Sequence, residues 1–299
     1  MKFVLDADQR DFAASLDSLL SSSDTVAVAR AWADGDSAPG LKLWSRLAEQ
    51  GVLSLATEAT PVELAIAFEA LGRYAVPGPW VESAAYLPIA LGHEIEGVAT
   101  VAVPPHVPYL LDADVADEVY VGDTLTTDIG ELVGSVDRTR RLFRVPPGLE
   151  TVPSGTSSTS DGDDAFDLAV LAVSAQLLGA GERILADSVT YVKQRKQFGR
   201  EIGSYQAIKH ALADVRIALD FARPLVFGAA LGEVPASAAK VATADAAYLA
   251  SRTGLQVHGA IGYTQEFDLS LWITKVRALV GAWGTPAYHR ARLLEALVG

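Results

Sequence analysis

Residues 194–210, QRKQFGREIGSYQAIKH, place Arg195, Lys196, Arg200 and Lys209 around Phe198 and Gly199 in a chain that is otherwise poor in charge. A guanidinium can grip a pyrophosphate with two parallel hydrogen bonds. Phe198 can flank an adenine or a dimethylbenzene ring, and Gly199 lets a following helix begin sharply. The same residues also fit a capped helix–helix turn carrying solvated charge, and local composition does not separate the two readings. A second stretch, LQVHGAIGYTQEFDLSLW at 255–272, offers the Gln256 amide and two glycines, Gly259 and Gly262, where backbone can approach a ligand. It is not a dinucleotide fingerprint, because it follows a helical pattern and not a strand. His258 reads more readily as a packed, hydrogen-bonded histidine than as a catalyst. His210 reads as a surface or interface residue, and no histidines stand at metal-ligand spacing.

Composition narrows the classes. The chain has 299 residues, half of them hydrophobic, enough for a large core and about two domains. A formal net charge of −13 argues against nucleic acid or an anionic membrane surface as partner, without excluding a local basic pocket. With no Cys, disulfides, thiol catalysis and thiolate metal sites are out. The amphipathic, acid-interrupted N-terminus does not read as a signal peptide. No run of about twenty uninterrupted apolar residues predicts a membrane span, so a cytoplasmic location is expected.

The elements that must position these residues fall into an order of helices, strands, helices. Residues 1–96 read as a helical domain. One helix is capped by Asp6 or Asp8, one closes near Gly51, and one begins at Thr60-Pro61 and closes at Gly72. Residues 97–152 carry short Val-, Tyr- and Thr-rich runs bounded by Pro, Gly and Asp, room for four to six strands. Residues 153–164, with no hydrophobic face, read as a linker. Residues 165–299 carry helical periodicity with Pro224 kinking or ending one helix, and an Ala-rich stretch suited to close packing. The fold class is α+β, mostly α: a helical domain, a reduced β-domain and a C-terminal four-helix bundle.

Taken together, RKQFGREIGSYQAIKHALADV and QVHGAIGYTQEFDLSLW resemble the acyl-CoA dehydrogenase family. LWSRLAEQGVLSL and ELAIAFEALGRYAVPGP resemble, more loosely, its N-terminal helical domain. The resemblance implies FAD as cofactor and α,β-desaturation of an acyl-CoA. A Glu removes the α-proton in such enzymes. It also implies that Arg-x-x-Phe-Gly and Gln-x-x-Gly elements reach across a dimer interface to a neighbour's FAD. Here these are Arg195, Phe198, Gly199, Gln256 and Gly259, and Gln206 and Thr285 join the implied cofactor contacts.

Three departures accompany the resemblance. The family's Glu before Gly-Thr is Trp283, followed by Gly284 and Thr285, and an indole is no base. The alternative position for that Glu, on the first bundle helix, falls at Ala169. The Thr-Glu-Pro and Gly-Ser-Asp segment that covers the flavin has no counterpart between 97 and 152. The expectation is a shortened, base-less subunit that pairs with a larger acyl-CoA dehydrogenase subunit as a dimer or heterotetramer and shares FAD across the interface, with its own pocket silent. Two other readings are a self-sufficient flavoenzyme with Glu266 or Asp268 as displaced base, and a cofactor-free interaction protein of the same fold.

Overall fold

The structure, a computed structural model, describes residues 4–149 and 160–298. The chain opens with helices α1 (Ala7–Ser21), α2 (Thr25–Ala33), α3 (Ala38–Ala48), α4 (Leu55–Glu58), α5 (Pro61–Arg73) and α6 (Leu87–Leu91). A π-helical turn, Glu82–Tyr86, leads into α6. Asp6, not Asp8, caps α1: its carboxylate accepts from the Gln9 amide at 2.9 Å, and the Gln9 side chain accepts from the Asp6 N–H at 3.1 Å. Thr60 and Glu63 repeat this reciprocal box at the start of α5.

Gly72 does not end α5 as the sequence suggests. The helix runs on through Arg73, and Gly72 lies inside it for a packing reason. A Cβ there would stand 2.1 Å from the Gln176 carbonyl oxygen on the long bundle helix α7 (Ser160–Gln194). The demand is reciprocal, because a Cβ at Gly179 of α7 would stand 1.9 Å from the Glu69 carbonyl oxygen of α5. Two helices cross here with backbones in near contact.

The β-domain holds six short strands among the described residues. β1 (Ala99–Ala102) pairs in parallel with β3 (Glu118–Val121), which pairs antiparallel with β4 (Thr124–Thr126). β6 (Leu142–Arg144) lies between β2 (Tyr109–Leu111) and β5 (Leu132–Val133), antiparallel to both. Seven apolar residues, including Leu110, Val121 and Phe143, form its own small core. Buried polar groups tie it to both neighbours. Asp112 accepts from the Trp32 indole of α2 and from the Arg141 backbone, each at 3.1 Å, while the Arg141 guanidinium lies over the Trp32 ring.

The C-terminal half follows the expected helices. After α7 comes a hairpin of β7 (Lys196–Gln197) and β8 (Arg200–Glu201), then α8 (Gln206–Ala230), α9 (Ala236–His258), α10 (Leu269–Gly281) and α11 (Pro286–Val298). Pro224 neither ends α8 nor marks its boundary; the helix continues for six residues. Part of the expected linker, 153–159, lies outside the described residues. Residues 160–164 are helical and begin α7, where Asp163 and Asp164 suit the positive end of a helix dipole. By length and composition alone α7 is apolar enough to cross a membrane, although charged residues such as Asp167 and Glu182 interrupt it. It is instead a central core helix, with 83% of its most apolar window buried by the rest of the protein. Lys275 of α10 donates to Asp137 (3.1 Å) and Thr139 (2.8 Å), closing the bundle onto the β-domain.

The α5–α7 crossing is locked on its open side by charge. Arg223 of α8 donates to both Glu69 oxygens (2.8 and 2.9 Å) and to Glu182 (3.1 Å), and Arg216 grips Glu182 with two bonds of 2.7 Å. Gly179→Ala is expected to destabilise the fold by about 1–3 kcal/mol or more, because backbone and not a pliable side chain must give way. Gly281→Ala, with open space around its Cβ, is expected to stay within about 0.5 kcal/mol of wild type. Denaturant midpoints of the two variants check this.

Candidate functional site

Arg195 follows the last turn of α7. Its N–H donates to the Tyr191 carbonyl (2.9 Å), and its carbonyl accepts from Ile202 N–H (2.8 Å), so helix hydrogen bonding passes directly into the β7–β8 hairpin. The sequence suggests helix, turn, helix at this place; the chain instead forms a hairpin and a 3₁₀ turn, Ile202–Ser204, before α8. The reason lies at Phe198 and Gly199, both left-handed at φ 53° and 80°. Two consecutive positive φ angles close a two-residue hairpin loop. Glycine takes that geometry freely, whereas Phe198 is held in it. The result is a phenyl ring 91% exposed at the tip of a projection. Arg195 and Gln206, the first residue of α8, are also exposed. Arg200 stacks over the Tyr205 ring at 4.0 Å.

The Gln256 segment meets this projection at the same end of the bundle. His258, the last residue of α9, stacks on Tyr191 with ring centroids 4.2 Å apart, one turn before Arg195. Its Nδ1 bonds the Gly254 carbonyl at 2.7 Å, and burial holds it below the ordinary histidine range. His258 is therefore the packed histidine that the sequence favours. Gln256 and Gly259 face outward, and Gly259, at φ 64°, has open space where a Cβ would be. A guanidinium with no ion pair among the described residues, an exposed phenyl, an exposed amide and a bare glycine backbone thus share one end of the molecule. A guanidinium, a phenyl and an amide are chemically suited to phosphate and aromatic-ring contacts.

Thr285 and Trp283 lie elsewhere. Lys240, near the start of α9, donates to the carbonyls of Leu279 (2.6 Å) and Ala282 (2.7 Å), immediately before Trp283. Gln256 is more than four turns further along α9, about 24 Å at the helical rise of 1.5 Å per residue. Thr285 is therefore not brought together with Arg195 and Gln256. Its hydroxyl oxygen accepts from Tyr288 N–H (3.2 Å) at the start of α11.

Trp283 is 1% exposed and packs against Tyr86 at 4.8 Å. Its backbone is left-handed (φ 54°) and is held by a buried relay. His289 Nε2–H donates to the Trp283 carbonyl (2.9 Å), which leaves Nδ1 to accept from the Ser237 hydroxyl (2.9 Å). Ala169 is fully buried in α7. Arg30 pairs with the Asp268 carboxylate (2.6 Å) and donates to the backbone carbonyl of Glu266 (2.8 Å). Glu266 lines a separate cleft of about 520 Å³ with Arg30 and Arg138 and does not line the cavity of Trp283.

One residue escaped the sequence reading. Glu82, in the π-helical turn, is 1% exposed and lines a cavity of about 280 Å³ together with Trp283 and Arg140. The Trp283 indole lies 3.4 Å from its Oε1. Burial raises its pKa, partly offset by Arg140. The available signal was a single acid inside the apolar run PWVESAAYLPIAL. No group of three or more metal-ligating side chains occurs among the described residues.

Residues 163–298 match the acyl-CoA dehydrogenase C-terminal domain. Acyl-CoA dehydrogenase IpdE2 of Mycobacterium tuberculosis is 32% identical over 93% of this chain and 90% of its own length. The chain is a member of the acyl-CoA dehydrogenase family. IpdE2 of Mycolicibacterium smegmatis is 31% identical over 79% of this chain and 78% of its own length. At the level of fold, the chain is similar to the ChsE4–ChsE5 complex of Mycobacterium tuberculosis, with a TM-score of 0.79 at 20% identity over 100% of this chain and 99% of that one. Butyryl-CoA dehydrogenase of Megasphaera elsdenii gives the same score at 18% identity over the whole of both chains. The helical, β and helical order expected from the sequence is the family fold, and FAD is the family's cofactor.

The Ser237–His289–Trp283 relay has a pH consequence. Burial pushes His289 down to about 4, from an ordinary 6.5. The unfolded chain takes up this proton as pH falls below about 6.5, and the folded protein only near 4, so stability is lost across that window. His289→Gln is expected to flatten the fall in unfolding free energy between pH 7 and 4, measured against wild type by denaturant titration at each pH.

Proposed function

We propose that this chain is the base-less subunit of a heteromeric, FAD-dependent acyl-CoA dehydrogenase that desaturates an acyl-CoA thioester. It supplies Arg195, Phe198, Gln206, Gln256 and Gly259 to a cofactor shared across the subunit interface with a larger, complete partner in the cytoplasm. The observation that carries this reading is the separation along α9. The elements suited to the cofactor's phosphates and adenine stand at one end of the bundle, facing outward, and the Trp283 pocket stands about 24 Å away. A flavin held by Arg195 and Gln256 therefore meets another chain's pocket. The ChsE4–ChsE5 similarity is compatible with such an assembly.

FAD, when bound, supplies the two-electron acceptor for the desaturation. This chain's part is to bind and orient. Arg195 holds a phosphate with a planar fork, Phe198 covers an aromatic ring from the tip of a rigid hairpin, and Gln256 offers an amide beside a glycine that lets backbone come close. The α-proton goes to a partner carboxylate, because the two positions where the family places its Glu are Trp283 and Ala169 here. The self-sufficient alternative loses support because Asp268 is committed to Arg30 and Glu266 lines a different cleft. The cofactor-free alternative leaves the exposed Phe198 tip without a purpose.

Two outcomes test the proposal. In the assembled complex, Arg195→Ala is expected to weaken flavin retention about thirty- to a hundredfold, with Arg195→Lys intermediate because it lacks the fork. Flavin absorbance after dialysis reads this, and unchanged flavin content counts against the assignment. The isolated chain is expected to show no acyl-CoA desaturation with a dye acceptor, while the complex with its partner turns over. Turnover by the isolated chain at about 1–10³ per second overturns the silent-subunit reading.

A further inference from the structure

The cavity beside Trp283 has a composition that the base-less reading leaves unused. Val107, Leu142 and the Trp283 ring give it apolar walls. Two charged residues line it, and neither has a salt-bridge partner among the described residues. Glu82 is buried, its Oε1 lies 3.4 Å from the indole N–H, and its Oε2 has no partner among the described residues. Arg140 lines the same space without a carboxylate in ion-pair range among the described residues; it is Arg141 that takes Asp112 (3.5 Å) and Asp114 (3.1 Å). His106 also lines the cavity, but burial and Arg292 hold it in the neutral form, so Arg140 is its cation among the described residues. A buried polar atom without a partner costs about 1–3 kcal/mol. Folds retain such atoms where something else supplies the bond.

We propose that this cavity binds a small carboxylic acid with a short apolar body, its carboxylate held between the Arg140 guanidinium and the Glu82 carboxyl group. Arg140 presents the fork that matches a carboxylate. Glu82 sits in an environment that favours its protonated form, so it can donate its O–H to the ligand's second oxygen. The remaining walls accept the hydrocarbon part. About 280 Å³ lies at the low end for small-molecule sites, roughly 300–1,000 Å³, which favours a body of a few carbons or one ring. The site is distinct from the Arg195–Gln256 end of the bundle and does not depend on the heteromeric reading.

The test is calorimetric titration of the isolated, flavin-free full chain with butyrate, hexanoate and benzoate, and with hexanamide as an uncharged control. At least one carboxylate is expected to bind once per chain, with hexanamide on the order of tenfold weaker. Arg140→Gln is expected to weaken binding on the order of tenfold to a hundredfold, and Arg140→Lys by less. Glu82→Gln, which keeps a donor, should retain most of the affinity, whereas Glu82→Leu should lose on the order of tenfold. No binding of any of the three acids at about 10 mM, or equal binding by Arg140→Gln, overturns the proposal. Arg195→Ala should leave this titration unchanged, so failure here and failure of the cofactor assignment read out separately.

Discussion

The near contact of α5 and α7 at Gly72 and Gly179 sets the frame of the molecule. Backbone meets backbone there, with room for no Cβ on either side. Close approach of this kind gains dispersion and removes water from both helices, but it fixes the crossing point rigidly. Glu69 sits at the same crossing and turns its carboxylate to Arg73 and Arg223, so the N-terminal domain and the bundle share one buried polar anchor. A charge in such a place is tolerated only when fully paired, and Glu69 and Glu182 divide Arg216 and Arg223 between them.

From that frame the two ends of the bundle acquire different characters. At one end α7 and α9 finish together, joined by the Tyr191–His258 stack, and project a hairpin whose tip carries Phe198 in a left-handed conformation. At the other end α10 finishes on the buried Lys240, and the chain turns through Trp283 and Gly284, both at positive φ. Non-glycine residues in that region cost free energy and persist where their surroundings over-determine them. At Trp283 the surroundings are the His289–Ser237 relay and the Tyr86 ring; at Phe198 they are the two flanking strands. Strain at one end holds an indole inside the core, and at the other it holds a phenyl out of it.

The hairpin tip with Phe198 faces outward and is exposed, while Trp283 is buried and lines a small cavity with Glu82 and Arg140. The same scaffold carries one exposed projection and one small cavity of mixed character.

Much was legible in the sequence because it was local. Helix starts at Asp6 and Thr60 depend on residues three apart, the strands of 97–152 on alternation and turn residues, and the Arg195–Phe198–Gly199 and Gln256–Gly259 pattern on spacing within one turn or hairpin. Family resemblance added the cofactor and the expectation that the family's base positions fall at Trp283 and Ala169. What tertiary structure alone decided depends on groups far apart in the chain. Gly72 reads as a helix stop until Gln176 is seen against it, and α8 passes Pro224, which local propensity marks as a breaker. Asp268 reads as a candidate base until Arg30, from the other end of the sequence, claims it. Glu82 and Trp283 share a cavity, and Thr285 stands apart from Gln256, because the long path of α9 carries the chain across the whole bundle between them. Spacing along a sequence determines hydrogen-bonding neighbours within a turn, but burial, pairing and the distance between sites follow from which surfaces the packed helices bring together.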